Sequence, residues 1–240
     1  MIAPEVLKQR LINHQVIPIK FAQQRMLLDA SGVLIWPSQD LIIFSDLHLE
    51  KGSFLSQFAN PLPRFDSRDT LIRMAQMIAI YDCQNVVCLG DSLHDGNALS
   101  RMQLADLSAL NEMVASAKEW TWILGNHDPD IPPAIKGKRA PYLEIAGVLL
   151  VHEPEDLQDF KHAQAQIIGH FHPKSSHKIS NRKVTGKCFI CAYTILLMPA
   201  YGKYTGGLDI QHEAFTPMLA NEENSAFDIY LIYHHKIYML

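Results

Sequence analysis

Residues 41–50 read LIIFSDLHLE: four apolar residues of high strand preference, then an abrupt change to Ser45, Asp46 and His48. A run this short and this apolar is the pattern of a strand buried on both faces, and the polar residues fall where such a strand leaves its sheet. The same arrangement recurs at 86–89 before GDSLHD, 120–124 before GNHD, 148–151 before HEP and 166–168 before GHFH. Between the first two strands, SRDTLIRMAQMIAIYDC places Leu71, Met74, Ile78 and Tyr81 at helical spacing behind Ser67, a candidate cap. Between the next two, NALSRMQLADLSALNEMVASAK repeats the spacing with Leu99, Met102, Leu107, Leu110 and Val114. Strand, helix, strand, helix, strand predicts an α/β fold with parallel pairing and right-handed crossovers.

Working outward, IPIKF (17–21) and GVLIW (32–36) predict an antiparallel addition to that sheet. FICAYTILLMP and AFDIYLIYHHKIYML in the tail predict a second sheet packed on the first. No repeat, low-complexity tract or Gly/Ser linker divides the chain, so residues 1–240 are expected to form a single domain. At 48% hydrophobic and 19% charged residues, the 240-residue chain falls outside disordered, collagenous and coiled-coil compositions. No apolar stretch has the length of a spanning helix and the start lacks the layout of a secretory signal, so no membrane association and a cytoplasmic location are expected. Four cysteines are too few for a disulfide framework, and the CxxC of Cys188 and Cys191 stands without a second CxxC, so a bland buried role is expected. A net charge of −4 excludes a uniformly basic nucleic-acid binder while leaving room for a local basic face.

The chemistry is concentrated at the strand ends, where ligands bind in open α/β sheets. Asp46, His48, Asp91, Asn126, His127, His152, His170 and His172 all lie there. Folding a sheet requires no imidazole at such positions, and a metal site accounts for them. Asp46 with His48, and His170 with His172, are two residues apart, so an extended backbone would turn each pair to one side. Nitrogen and carboxylate donors without thiolate suit zinc, manganese or iron. The number of candidate ligands is too large for one tetrahedral ion and fits two ions sharing a bridging carboxylate.

The ordered set DLH (46–48), GD (90–91), GNHD (125–128), His152 and GHFH (169–172) resembles the calcineurin-like metallophosphoesterase superfamily. The resemblance implies a metallophosphoesterase-type β-sandwich, two mixed sheets flanked by helices in α-β-β-α order. It also implies that Asp46, His48 and His172 hold one divalent ion, that Asn126, His152 and His170 hold the other, and that Asp91 bridges them. His127 is then the catalytic residue beside the scissile phosphate, stabilising charge or protonating the leaving oxygen. The implied reaction is hydrolysis of a phosphodiester by metal-activated hydroxide. DLHLEKGS, GDSLHD, HEP and PAYGKYTGGL further resemble the bacterial ligase-associated DNA-damage-response endonuclease branch. That branch implies manganese, a DNA substrate and functional association with DNA ligase and helicase.

Other residues have plainer readings. His94 is expected to touch substrate or support a ligand. Asp95 and Asp128 are read either as orienting His94 or His127 or as helix caps, Glu153 as support or a solvated acid, and Gly206 with Gly207 as a tight turn. His14, His162, His177, His212, His234 and His235 are read as structural. From Lys174 to Lys187 the chain holds Lys174, Lys178, Arg182, Lys183 and Lys187 without an acidic residue. With Lys136, Lys138 and Arg139 these read either as ordinary solvated loops or as a basic rim around the metals, with Lys178, Arg182 and Lys183 as its nucleic-acid contacts. Two other functions fit the composition: hydrolysis of a smaller phosphoester such as a cyclic nucleotide or lipid diphosphate, and a non-catalytic scaffold. GNHD, where the lipid branch has GNRD, disfavours that lipid substrate, and retention of every ligand disfavours the scaffold.

Overall fold

The computed structural model describes residues 2–58, 65–179, 182–220 and 227–240. Its first sheet is laid down in chain order: β1 (Val16–Phe21), β2 (Gln24–Asp29), β3 (Leu34–Trp36), β4 (Leu41–Phe44), β5 (Asn85–Leu89), β6 (Glu119–Ile123) and β7 (Lys138–Ala140). β1 to β4 form an antiparallel meander, and β4 to β7 are parallel. The second sheet contains β8 (Tyr142–Ile145), β9 (Val148–Val151), β10 (Ala165–Ile168), β11 (Lys174–Ile179), β12 (Arg182–Cys191), β13 (Ile195–Leu197), β14 (Asp228–Tyr233) and β15 (Lys236–Met239). Its path runs β15-β14-β12-β13-β10-β9-β8, parallel only where β10 meets β9 and β13, with β11 hung on β12 as a hairpin. Both sheets are therefore mixed.

Strand alternation sorts the side chains into layers. Ile42 and Phe44 of β4, with Val86 and Cys88 of β5, face a helical layer, while Ile43, Val87 and Leu89 meet Val148, Leu150, Ile167 and Leu196 of the second sheet. The outer face of that sheet carries Leu149, Ile168, Cys188 and Ile190 against Phe215 and Met218. The helices are α1 (Pro4–Ile12), α2 (Lys51–Leu55), α3 (Asp66–Tyr81), α4 (Ala98–Arg101), α5 (Leu104–Ser116) and α6 (Thr216–Ala220). This is the expected α-β-β-α sandwich. Among the described residues no helix is long and apolar enough to cross a membrane.

Two local expectations change. Ser67 does not cap α3: the cap position is Phe65, and Ser67 lies inside the helix, donating to Glu50 Oε1 at 2.7 Å and accepting from Glu50 N at 2.8 Å. The continuous pattern over 97–118 splits into α4 and α5, because Met102 and Gln103 adopt extended ψ values of 136° and 141°. Cys188 and Cys191 lie three residues apart on β12, so one thiol packs in the outer core and the other against the inter-sheet core. They face opposite ways and cannot share a metal ion.

Candidate metal centre

The loops after β4 and β5 are zipped together by backbone bonds: Asp46 N to Gly90 O at 3.3 Å, His48 N to Asp91 O at 2.9 Å, and Leu49 N to Ser92 O at 2.9 Å. Asp46 then joins the two sheets, accepting at 3.2 Å from His170 N, which follows β10. The pairs at 46/48 and 170/172 are not extended, contrary to the expectation from spacing. Asp46, His48, Asp91, His170 and His172 have φ of 52°, 44°, 47°, 65° and 47°. Left-handed backbone costs a non-glycine residue about 1–3 kcal/mol, and strain of this kind concentrates where a site demands it. Glycine is needed beside them for a different reason. A Cβ on Gly90, itself at φ +73°, would overlap the His152 ring, and one on Gly169 would overlap Ser45 Oγ and Asp46 Oδ2. Gly90→Ala is therefore expected to destabilise the fold by about 2–4 kcal/mol, from the positive φ together with the overlap. Urea unfolding within 0.5 kcal/mol of wild type, roughly the scatter of neutral surface changes, would contradict this.

Every predicted ligand converges. Asp46, His48, Asp91 and His172 place ligand atoms within 4.8 Å of one another, with His172 Nε2 at 3.0 Å from Asp46 Oδ1 and 3.3 Å from His48 Nε2. On the other side, Asn126 Oδ1 lies 3.1 Å from both His152 Nε2 and His170 Nδ1. Asp91 reaches both halves, with Oδ2 at 3.6 Å from His48 Nε2 and Oδ1 at 3.3 Å from His152 Nε2. His152 Nδ1 donates to Leu89 O at 3.1 Å, which leaves Nε2 directed at this centre.

The electrostatics call for cations. Asp46, Asp91, His48 and His152 are all buried. Burial pushes the His48 imidazole down to about 3 against the pull of Asp46 and Asp91, so its nitrogen lone pair stays available. Burial also opposes protonation of His152, but the nearby Asp91 and Asp46 win and hold it up to about 9. Both carboxyls are held below their ordinary value, burial being outweighed by His172 and His152 at Asp46 and by His152, the His127 N–H and His48 at Asp91. Two buried carboxylates draw a proton onto His152, and the ring nitrogens of His48 and His172 crowd to 3.3 Å at the same centre. A pair of divalent cations answers both conditions. This His/Asp cluster is suited to a dinuclear metal site.

His127 lies on the exposed side. Its backbone N donates to Asp91 Oδ1 at 2.9 Å and its Nδ1 to His94 O at 2.8 Å, leaving Nε2 available. His94 stacks on His127 with centroids 5.3 Å apart and sits 3.2 Å, Nδ1 to Nδ1, from His48. Burial, helped by Lys51 and His127, pushes the His94 imidazole down to about 4.

Sequence reasoning missed Lys51 and left two readings each for Asp128 and Glu153. Asp128 is no helix cap: its carboxylate accepts from Ser92 N at 2.7 Å, Leu93 N at 3.0 Å and Gly125 N at 3.0 Å, clamping the loops that carry Asp91 and Asn126. Glu153 Oε1 lies 3.7 Å from His170 Nδ1 and groups with His152 and His170. Lys51 is half-buried, its ammonium pushed down by burial and pulled up by Asp91 and Asp46. Their partners are distant in sequence, and only the adjacency of Glu153 to His152 and of Lys51 to DLH signalled them. Gly207 serves a close approach, since a Cβ there would overlap His172 O.

Part of the expected rim is committed elsewhere. Lys187 is buried with Nζ donating to Ala200 O at 2.5 Å and Gly202 O at 2.9 Å, and burial pushes it down to about 8. Arg139 is spent on carbonyls of the 131–137 loop, including Pro132 O at 2.8 Å. Lys138 pairs with Glu119 at 2.9 Å, beside the start of β6 and away from the strand ends that hold the site. Lys178, Arg182 and Lys183 remain exposed on the β11–β12 hairpin, with Lys178 opposite Lys183.

The family model for calcineurin-like phosphoesterases matches residues 40–165, and the chain belongs to that family. The match spans Asp46 to His152 and stops short of His170 and His172, which the fold brings to the same centre. Family and cluster together define a metal-dependent hydrolase of phosphoester bonds. The fold is similar to the crystal structure of nuclease MPE from Pseudomonas putida, with a TM-score of 0.70 at 24% identity over 94% of this chain and 100% of that one. A looser likeness, TM-score 0.42 at 14% identity over 83% of this chain and 97% of that one, is to YfcE, a phosphoesterase from E. coli. No curated protein sequence matches the chain.

Proposed function

We propose that the chain is a two-metal phosphodiesterase cutting nucleic acid, with DNA as the substrate. The carrying observation is Asp91, a single buried carboxylate with one oxygen toward His48 and the other toward His152. Asp46, His48 and His172 are the protein ligands on one side, Asn126, His152 and His170 on the other. Donors limited to nitrogen and oxygen support manganese over thiolate-seeking ions, with zinc or iron the alternatives. When bound, the two ions supply Lewis acidity and an acidified water for in-line attack on phosphorus.

The chain's own residues do the rest. His127, fixed through Nδ1 by His94 O, presents Nε2 to the leaving oxygen as an acid. His94 and Lys51 line the approach and meet the substrate's non-bridging oxygens. Because ligands come from both sheets, residues 1–240 act as a single domain. Likeness to the ligase-associated branch supports a DNA-repair setting with functional association to DNA ligase and helicase, and the sequence expectation of a cytoplasmic location agrees with it. A DNA substrate is supported by the nuclease whose whole length shares this fold and by the exposed hairpin cations. Loss of Lys187, Lys138 and Arg139 from the rim favours the smaller phosphodiester as the second reading.

A manganese-supplemented panel of single-stranded DNA, duplex DNA, RNA, cyclic nucleotides and a chromogenic diester separates these. Lys178 lies six residues from His172, about 20 Å of strand at roughly 3.3 Å per residue, so the hairpin would touch phosphates several nucleotides from the cut. Neutralising Lys178, Arg182 and Lys183 together is expected to weaken DNA binding and flatten its salt dependence by about one unit of log-log slope per lost contact. Hydrolysis of the small diester should stay unchanged. Equal losses on both substrates would remove the case for a polynucleotide.

A further inference from the structure

The two halves of the His/Asp centre carry unequal charge. On one side Asp46 and the shared Asp91 stand with His48 and His172. On the other, the shared Asp91 stands with His152, His170 and Asn126, and Asn126 is a neutral amide. A dication on that second side would meet no carboxylate of its own, and a buried charge is costly until it is matched. Glu153 supplies the missing charge. Its Oε1 lies 3.7 Å from His170 Nδ1, the nitrogen that also stands 3.1 Å from Asn126 Oδ1. Glu153, His152 and His170 each place a ligand atom within 4.8 Å of the others. Atoms bound about 2.0–2.2 Å from one ion stand about 3–4.4 Å apart, so the Glu153 oxygen is already at a ligand's distance from His170.

The plain alternative is a solvated acid, and the neighbours of Glu153 show the difference. In the run HEPED (152–156), the Asp156 side chain accepts from Gln158 N at 3.0 Å and the Glu155 backbone is held by the Gln166 amide at 3.0 Å. Glu153 turns its carboxylate to the ligand nitrogen of His170 instead. That nitrogen carries at most one hydrogen, so it cannot serve both the Glu153 and the Asn126 oxygens. One cation among the three atoms serves all of them. With Glu153 the second side offers three oxygens and two nitrogens, from Asp91, Asn126, Glu153, His152 and His170. Those donors exceed a tetrahedron, and an oxygen-rich set of higher coordination number suits manganese better than zinc.

Resting on the two-metal reading above, we propose that Glu153 is a further ligand of the Asn126–His152–His170 ion, giving it a carboxylate of its own and a preference for manganese over zinc. The test is calorimetric titration of the full chain, stripped by chelation, with Mn2+ and separately with Zn2+. Wild type should take up two Mn2+ ions. In Glu153→Gln one of them should bind about 100-fold more weakly, the upper end of the loss when a group supporting a metal is removed, and the other as in wild type. The loss for Zn2+ should be about tenfold, since a four-coordinate ion keeps enough donors. Glu153→Asp keeps the charge but draws the carboxylate back by one methylene, and should weaken the same ion. Glu155→Gln removes an exposed charge two residues away and should leave both ions within about threefold of wild type, because salt screens a charge that does not touch the ion. The side chain of Glu153 is half exposed, so its variants should keep the wild-type melting temperature without metal. Uptake of a single ion by wild type would overturn the two-metal reading and this proposal with it. Two ions in wild type would overturn the proposal alone if Glu153→Gln behaves like Glu155→Gln, weakens both ions alike or loses Zn2+ as heavily as Mn2+, or if Glu153→Asp binds like wild type.

Discussion

Asp91→Asn is expected to lower turnover of a chromogenic phosphodiester by roughly 10³-fold or more, at least the loss seen when one preorganised electrostatic element is removed. The reason lies in the two oxygens of the side chain, one at 3.6 Å from His48 Nε2 and the other at 3.3 Å from His152 Nε2. An amide offers one oxygen and one NH2 group, and a group that donates two hydrogens cannot ligate a cation. The substitution also deletes the negative charge lying between two proposed dications. Both sites should therefore lose affinity together, which no change at Asp46 or Asn126 alone would produce. Shape is conserved, so the metal-free chain should still fold. Metal content and turnover are the deciding measurements: two retained ions with unaltered turnover would remove Asp91 from the bridging role.

The residues of this centre were legible because each follows an apolar strand buried on both faces. The runs at 41–44, 86–89 and 148–151 stand out from their polar flanks, and β4, β5 and β9 fall there within a residue. The backbone that aims the ligands was not legible. Nothing in DLH or GHFH signals left-handed φ at Asp46, His48, His170 and His172, which is imposed by bonds such as Asp46 N to Gly90 O between segments far apart in sequence. Partner choice was hidden for the same reason. Lys187 reads as one more cation in a basic stretch until Ala200 O and Gly202 O are seen to hold it inside. The break between α4 and α5 contains neither Gly nor Pro, so its residue types carry no stop signal.

His127→Ala is expected to leave both metal sites filled while slowing hydrolysis by about 10²- to 10⁴-fold, the usual contribution of a positioned acid. His127 differs from the ligands in its surroundings: it is exposed, its Nδ1 is occupied by His94 O at 2.8 Å, and its backbone rather than its ring contacts Asp91. Removing the ring therefore leaves the Asp91 carboxylate and its N–H donor in place. A proton on Nε2 is needed only when the leaving oxygen departs with negative charge. The loss should consequently depend on the leaving group, approaching 10⁴-fold for an alkoxide of high pKa, such as a deoxyribose oxygen, and shrinking towards 10²-fold for 4-nitrophenolate. A steeper dependence of rate on leaving-group pKa in the variant than in the wild type is the signature to measure. If the variant loses a metal ion, or slows equally for both leaving groups, His127 acts as a ligand or a fixed charge and not as an acid.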